Sequence, residues 1–382
     1  MNARLEDLIL AVNSGSSSLK FGLFRQQDGD ERTVISGGAE GVGRQNGKLQ
    51  IKDAAGRVLL SESYKLASQT QALQEIVRAL LKFSDGTPVC VGHRFVHGGP
   101  HLRKHERITE DLLDKLNAAV HFAPLHIPNA IALTREMERL LPKAQQYACF
   151  DTAFHSHMPE SSRRFPLPEA MYRRGIERYG FHGLSYESVL HRFRGTVPPK
   201  MVCAHLGSGA SLVALRDGRS VDTSMGLTPT GGIPMATRSG DLDPGVLLFL
   251  MRTERLDADT LEKLVNRQSG LIAISDGETD MQQLQKRAEQ GDGKAILAIE
   301  IFSKSVRKCI GAYAAELGGL DLLVFTGGIG EHSWYVRERV CQGLEFLGIA
   351  SAAAGEIAKV AVMSSEEELQ IARHCRRLMR DR

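Results

Sequence analysis

The same short device occurs twice in this chain, once in each half. The first copy is Leu10-Ala11-Val12, then Asn13-Ser14-Gly15-Ser16-Ser17-Ser18, then Leu19 to Phe24. The second is Met201 to Ala204, then His205-Leu206-Gly207-Ser208-Gly209-Ala210-Ser211, then Leu212 to Leu215. Each reads as strand, tight Gly/Ser turn, strand. Asn13 aligns with His205, Gly15 with Gly207 and Ser16 with Ser208. Glycine at a hairpin tip lets backbone N–H groups face outward with no Cβ in the way. Clusters of such N–H groups and hydroxyls bind anions, phosphate above all. Two copies far apart in sequence predict two related lobes gripping one polyphosphate.

The 382 residues suit two domains, and 42% hydrophobic with 24% charged residues is ordinary for a globular protein. A net charge of +3 gives no strong basic field for nucleic acid. No apolar run approaches the roughly 20 residues of a membrane span. Met1 to Asp7 is polar, and Leu8 to Val12 is too short for a signal-peptide core. The six cysteines (Cys90, Cys149, Cys203, Cys309, Cys341, Cys375) are widely spaced, several in apolar patterns. That favours reduced thiols in a cytoplasmic protein over a disulfide framework or a zinc site.

Residues 8–60 read as short strands with Gly-rich turns. Ala72, Leu73, Ile76, Val77, Leu80 and Leu81 recur at helical spacing over 68–82. Further strands are expected at Val89 to Val96, Tyr147 to Asp151, Leu212 to Asp222, Leu322 to Phe325 and Val360 to Met363. Helices are expected at Thr109 to Val120, Pro128 to Leu141, 244–251, 258–267, 279–289, 294–316, Trp334 to Leu344 and Glu366 to Arg380. Strands followed by helices in each half imply α/β layers. No Pro/Gly/Ser tether separates the halves, which puts a hinge near Asp151. The expected division is 1–150 plus 369–382 for the first lobe and 151–368 for the second.

Several residues stand in company that suggests chemistry. Thr326-Gly327-Gly328-Ile329-Gly330 follows an apolar strand and reads as a Gly loop, either close to a ligand or simply a tight turn. Arg94 and Arg238 lie in Gly-flanked turns, where a planar guanidinium suits carboxylate or phosphoryl oxygens as well as a structural ion pair. His93, His97, His101 and His105 are four apart, but Gly98-Gly99-Pro100 prevents one helix from presenting them to a metal. His126, His182 and His205 each adjoin Pro or Gly and could donate to phosphate oxygens. Asp151 at a strand end and Glu367 at a helix start are the acids placed for Mg²⁺, although an acid in a first helical turn also offsets the macrodipole.

Taken in order, these segments resemble the acetate kinases, and more broadly the acetate/propionate kinases of the actin-like ATPase fold, over essentially the whole chain. The matching stretches are Asn13 to Lys20, His93 to Gly99, Ala123 to His126, Phe150 to His155, Tyr179 to Gly183, Met225 to Pro229, Arg238 to Pro244 and Thr326 to Glu331. The resemblance implies an α/β fold of two actin-like (ribonuclease H-like) lobes with a duplicated core and an active-site cleft between them. It implies reversible transfer from ATP to acetate, giving acetyl phosphate and ADP, with Mg²⁺ or Mn²⁺. Arg94, Asp151, His182 and Arg238 would be catalytic, His182 and Arg238 steadying the transition state, with Thr152 close by. Asn13 and Glu367 would hold the metal together with Asp151. Arg94, Val96, Leu125, Phe181 and Pro229 would bind acetate, the apolar four enclosing its methyl group. Ser16, Ser18, Lys20, His205, Gly207, Ser208, Gly209, Asp280, Gly327, Gly328, Ile329 and Gly330 would bind the nucleotide. A homodimer joined through the C-terminal lobes is also implied, with no nucleic-acid or membrane partner.

The physics suits those roles. A carboxylate nucleophile is already ionised at neutral pH, since such acids have pKa values near roughly 4. No general base is needed, so Asp151 is free for the metal. The difficulty is an anion attacking an anion, which arginines, a histidine and a divalent cation relieve. Closure of two lobes would exclude water. The chain departs from the family pattern at Ser208 and His332, each where Asn is usual, and at Glu366, where Asn or Asp is common. The first two bear on the phosphoryl donor, and Val96 bears on acetate against propionate. The rival readings are a propionate kinase, a carboxylate kinase with another donor, a sugar kinase with Asp151 as base, and a non-catalytic actin-like module.

Overall fold

The repeated hairpin proves to be part of a larger repeat. The computed structural model describes residues 7–15, 17–349 and 359–381. The chain divides into two compact units, Met1–Phe154 with Gly183–Ser188 and Glu366–Arg382, and His155–His182 with Val189–Ser365. This places 151–154, 183–188 and Glu366 to Glu368 in the first unit, where the sequence had suggested the second.

The first unit holds an eight-stranded sheet: β1 (Ile9–Ser14), β2 (Ser18–Gln27), β3 (Asp30–Glu40), β4 (Gly47–Asp53), β5 (Val58–Tyr64), β6 (Cys90–Phe95), β7 (Glu106–Arg107) and β8 (Gln145–Phe150). Their order is β5-β4-β3-β2-β1-β6-β8-β7. The second unit holds five strands: β9 (Lys200–Leu206), β10 (Ala210–Arg216), β11 (Arg219–Thr223), β12 (Leu322–Thr326) and β13 (Val360–Val362), in the order β11-β10-β9-β12-β13. In the first sheet β3, β2 and β1 are antiparallel, and β6 and β8 then run parallel to β1. In the second, β11, β10 and β9 are antiparallel, and β12 and β13 run parallel to β9. The two five-strand patterns are the same. Asn13 pairs with Lys20 across the first hairpin, and His205 with Ser211 across the second.

Alternation along the strands builds the cores. Leu10 and Val12 face a cluster containing Leu19, Phe21, Leu23, Leu73, Ile76, Leu80, Leu133 and Met137. Ile9 and Ala11 face the opposite cluster, with Tyr147, Cys149, Ile371 and Cys375. The helices Gln69–Phe83 and Ile127–Leu140 thus cover one face, and the closing helix Glu367–Arg380 covers the other. Arg376 in that closing helix bonds Glu31 of β3 at 2.7 Å, with both side chains under 5% exposed. In the second unit the helix Gly293–Leu317 buries Ala298, Ile299, Phe302, Val306 and Ile310 and packs on β9 and β10. Asp292 caps its start, and Gly318, at φ 69°, ends it in the left-handed conformation that glycine tolerates.

Two local expectations are corrected. Leu212 to Asp222 is not one strand: β10 and β11 are joined by a turn in which Asp217 and Gly218 have φ 50° and 76°. Gly327 to Gly330 is not a loop but the first turns of a helix, Gly327–His332. Gly327 enters that helix at φ 77°, and a Cβ there would lie 2.8 Å from the Leu206 carbonyl oxygen.

Candidate active site

In the first unit the polar groups gather at the carboxyl ends of β1, β6 and β8, three parallel neighbours whose ends lie side by side. Asn13 stands near the end of β1, Arg94 near the end of β6, and Asp151 follows β8. Glu367 joins them as the first residue of the closing helix. The Arg94 guanidinium forks onto Asp151, Nε lying 3.2 and 3.1 Å from the two carboxylate oxygens and Nη2 2.6 Å from Oδ2. Its Nη1 donates to Asn13 Oδ1 at 2.9 Å and stands 3.7 Å from Glu367 Oε2. The Asn13 amide nitrogen donates to Glu367 at 2.9 Å and to Glu368 at 2.7 Å. Asp151 is 1% exposed, and Thr152 beside it is buried.

These acids are crowded. Burial raises the Asp151 carboxyl above its usual range, and Glu367 adds to that rise while Arg94 opposes it. Burial also raises Glu368, again with Glu367 adding and Lys20 opposing. For Arg94 burial works against the charge, but Asp151 and Glu367 outweigh it and hold the guanidinium firmly cationic. Three carboxylates face Arg94 and the more distant Lys20, a surplus of negative charge. Oxygen donors with surplus negative charge suit a hard divalent cation. Asp151 and Glu367 could supply such oxygens, whereas Asn13 turns its amide nitrogen to the acids and links them to Arg94.

In the second unit the hairpin β9–β10 meets His182 and Arg238. His182 has φ 58° and ψ 24° at the start of helix Gly183–His191, a left-handed conformation costing an L-residue roughly 1–2 kcal/mol. Strain of this kind tends to collect at functional positions. Its Nδ1 lies 2.8 Å from Ser211 Oγ, and its ring stacks on His205 at 4.3 Å and 17°. A Cβ on Gly209 would lie 3.4 Å from His182 Nε2 and 3.6 Å from Arg238 Nη1, so the hairpin tip packs directly beside both groups. Arg238 Nη1 also donates to the Pro229 carbonyl at 3.1 Å. Gly207 N–H closes the turn onto the Gly209 carbonyl at 3.1 Å, and Ser208 offers its carbonyl to Ala236 N–H.

The remaining expected residues scatter over both units. Ser16 lies outside the described residues. Ser18 and Lys20 lie on β2. Val96 follows β6 and is half-buried, Leu125 is 46% exposed, and His126 precedes helix Ile127–Leu140 without capping it. Phe181 is buried in the second unit, where its carbonyl meets His155 Nε2 at 3.1 Å. Asp280 is exposed and caps helix Met281–Glu289 by accepting the N–H groups of Gln282 and Gln283. Gly328 and Ile329 lie in the opening turn of helix Gly327–His332, with Gly330 one step further along. The sequence reading passed over Glu368 and Ser211. The run Glu366-Glu367-Glu368 at a helix start could have flagged the first, and the position of Ser211 opposite His205 on the hairpin could have flagged the second.

The model of the acetokinase family matches residues 8–373. Acetate kinase from Treponema denticola is 38% identical, over 96% of this chain and 98% of that protein. The crystal structure of Porphyromonas gingivalis acetate kinase is similar with a TM-score of 0.84, 34% identity, and coverage of 98% of this chain and 100% of that one. The crystal structure of a propionate kinase from Francisella tularensis gives a TM-score of 0.89, 33% identity, and coverage of 97% and 100%.

Proposed function

The chain belongs to the acetokinase family, and from that premise we propose that it transfers the terminal phosphoryl group of ATP to acetate, reversibly and in a single in-line step. It is a phosphotransferase with a carboxylate acceptor. The observation that carries the finer reading is the Arg94 network, one buried guanidinium among three acids at the ends of parallel strands. A sugar kinase needs a carboxylate free to take a proton from a hydroxyl. Asp151 is instead forked onto Arg94, so it does not suit that task.

In this mechanism Asp151 and Glu367 would hold a hard divalent cation such as Mg²⁺ through their carboxylate oxygens. When bound, the cation offsets phosphate charge and aligns the phosphoryl oxygens. Asn13 and Glu368 tie its acids to Arg94 and β1. Arg94 meets the negative charge of acetate and of the transferring group. His182 and Arg238 donate to the equatorial oxygens, where charge accumulates as the bond to ADP breaks. Ser211 Oγ at Nδ1 holds the His182 ring in place, and with the hydroxyl donating there Nε2 carries the proton and donates it in a hydrogen bond. No side chain removes a proton, because the nucleophile arrives ionised. The Gly/Ser hairpin tips are assigned to the nucleotide phosphates, and the opening turn of helix Gly327–His332 to the adenosine.

Acetate is preferred to propionate on the strength of Val96, which narrows the space for a longer chain. One methylene is worth only about 1–3 kcal/mol, so propionate is a poorer substrate rather than an excluded one. A homodimer is the assembly proposed. Helix Pro244–Thr253 is mostly apolar yet buries none of its residues, and Val246, Leu248, Phe249 and Met251 are all more than 40% exposed. A second copy covering this face explains the pattern. No described helix is long and apolar enough to cross a membrane, in keeping with a cytoplasmic enzyme. Hydroxamate-coupled rates with acetate, propionate and butyrate against ATP, GTP and pyrophosphate test the reading. The highest kcat/KM is expected for acetate with ATP. A higher value for propionate or pyrophosphate replaces the substrate assignment.

A further inference from the structure

His105, Glu187 and His374 form a polar cluster in the first unit, their nearest ligand-type atoms within 4.8 Å of one another. The spacing is that of a metal site, but the protons are placed wrongly for one. Phe150 donates its backbone N–H to His105 Nδ1 at 3.0 Å, and Arg377, which has only donors, stands 3.2 Å from His374 Nδ1. A neutral imidazole that accepts at Nδ1 carries its proton on Nε2. Both Nε2 atoms face the same oxygen, Glu187 Oε2, at 3.7 Å for His105 and 2.7 Å for His374. The Gln370 side chain also stands beside this cluster, its Nε2 3.1 Å from His374 Nε2 and its Oε1 accepting from Arg373 Nη1 at 3.4 Å. Both imidazoles thus use their Nδ1 lone pairs on protein donors, and Glu187 Oε2 meets His374 at hydrogen-bond distance and His105 at longer range.

The placement of the three residues gives the cluster a use. Glu187 lies one turn after Gly183 on helix Gly183–His191. Gly183 donates its N–H to the Asp151 carbonyl at 3.1 Å. A Cβ on Gly183 would lie 2.2 Å from that carbonyl oxygen, so only glycine permits the approach. The helix thus grips Asp151 directly through Gly183 and the preceding Phe150 N–H through Glu187 and His105. Asp151 N–H is held in turn by the Phe95 carbonyl at 3.0 Å. On the other side, His374 is seven residues after Glu367, two turns along the same helix face. One half-buried carboxylate is linked to both elements that carry the acids.

We propose that His105, Glu187 and His374 are positioning residues that fix the Asp151 and Glu367 carboxylates at the spacing a divalent cation requires. The proposal rests on the reading in which those two acids hold the cation. Groups that orient metal ligands typically change metal affinity about 10–100-fold when altered.

The test uses the full-length protein and the variants Glu187→Gln, His105→Asn, Asp151→Asn and Leu133→Ala. Leu133 lies in the apolar core of the same unit and controls for lost stability alone. Expected for Glu187→Gln is about a tenfold or greater rise in the Mg²⁺ concentration giving half-maximal rate, with kcat at saturating Mg²⁺ little changed. Mn²⁺ binding in the presence of ADP, read from the EPR signal of the free ion, weakens by the same factor. Amide exchange at Phe150 accelerates in Glu187→Gln, and less so in His105→Asn, whose amide oxygen still accepts that N–H. Leu133→Ala lowers Tm and leaves both cation readouts unmoved. Wild-type cation affinity in Glu187→Gln, beside lost affinity in Asp151→Asn, overturns this proposal alone. Wild-type affinity in Asp151→Asn overturns the cation reading and the proposal with it. An equal shift in Leu133→Ala reduces the cluster to ordinary packing.

Discussion

Replacing Arg94 by methionine keeps most of the side-chain stem and removes the guanidinium. The structure gives this change two costs. Arg94 is 14% exposed and Asp151 1%, and the fork between them is the closest ion pair in the network. Removing one partner of a buried pair leaves an uncompensated charge and costs about 3–5 kcal/mol. At about 2–4 °C per kcal/mol for a unit of this size, Tm falls by about 6–20 °C. The loss should depend on pH in a defined direction. The Asp151 carboxyl is already held above the usual aspartate range in the folded protein, chiefly through burial. An acid raised in this way binds its proton more tightly folded than unfolded. Its contribution is present below the unfolded value and is lost as pH rises through the folded one. Without Arg94 the folded value climbs further, so the loss continues to higher pH. Urea unfolding of both proteins at pH 8, 6.5 and 5 should show a deficit for Arg94→Met that is largest at pH 8 and shrinks toward pH 5. Added Mg²⁺ should narrow it at pH 8 by supplying the missing positive charge. A deficit that is the same at pH 5 and pH 8 refutes the view that Arg94 balances crowded carboxylates. The second cost is in rate: loss of a group aimed at transition-state charge lowers kcat by about 10²–10³, measured on protein held below its reduced Tm.

Ser211→Ala removes the hydroxyl on His182 Nδ1 and should lower kcat about 10-fold, the scale of one hydrogen bond, while Ser211→Thr restores most of it and KM for ATP hardly moves. His93 is buried against Gln146, and burial lowers it from 6.5 to about 4. It binds its proton less readily folded than unfolded, so stability is lost as pH falls from 6.5 toward 4, by about 3 kcal/mol at the limit. His93→Leu should flatten the stability curve in that window, as read by urea unfolding at half-unit steps. Phe249→Glu on the exposed face of helix Pro244–Thr253 should convert a dimer into a monomer by light scattering, and an unchanged mass places the interface elsewhere.

Much of the first-unit site could be read in the sequence, because its residues sit at strand ends that local patterning marks. Asn13 and Asp151 each close an apolar run, Arg94 lies on β6 just before Phe95 instead of in the Gly-flanked turn expected for it, and parallel pairing of these strands makes the three neighbours. The two hairpins were equally plain, since Gly15 and Gly207 mark turns between apolar strands. The wider repeat of five strands was not visible, because β11 and β13 carry too little hydrophobic pattern to align with β3 and β8. Glu368 bonds Asn13 across 355 positions and His374 bonds Glu187 across 187. Partners so remote leave no trace in local spacing. Gly327 to Gly330 misled for a different reason: glycine argues against helix by propensity, yet the close approach to the Leu206 carbonyl demands it at the first position. The insertion of 183–188 into the first unit follows from Gly183 N–H bonding Asp151 and Leu184 joining the apolar core there.

The central claim is phosphoryl transfer to a carboxylate, and ³¹P NMR of the purified protein with ATP, Mg²⁺ and acetate addresses it without a coupling reagent. The account predicts growth of an acetyl phosphate resonance matched by ADP, absent when Mg²⁺ or acetate is withheld, and regeneration of ATP when acetyl phosphate and ADP are supplied instead. Release of inorganic phosphate alone, or an unchanged ATP spectrum in the presence of acetate, contradicts it.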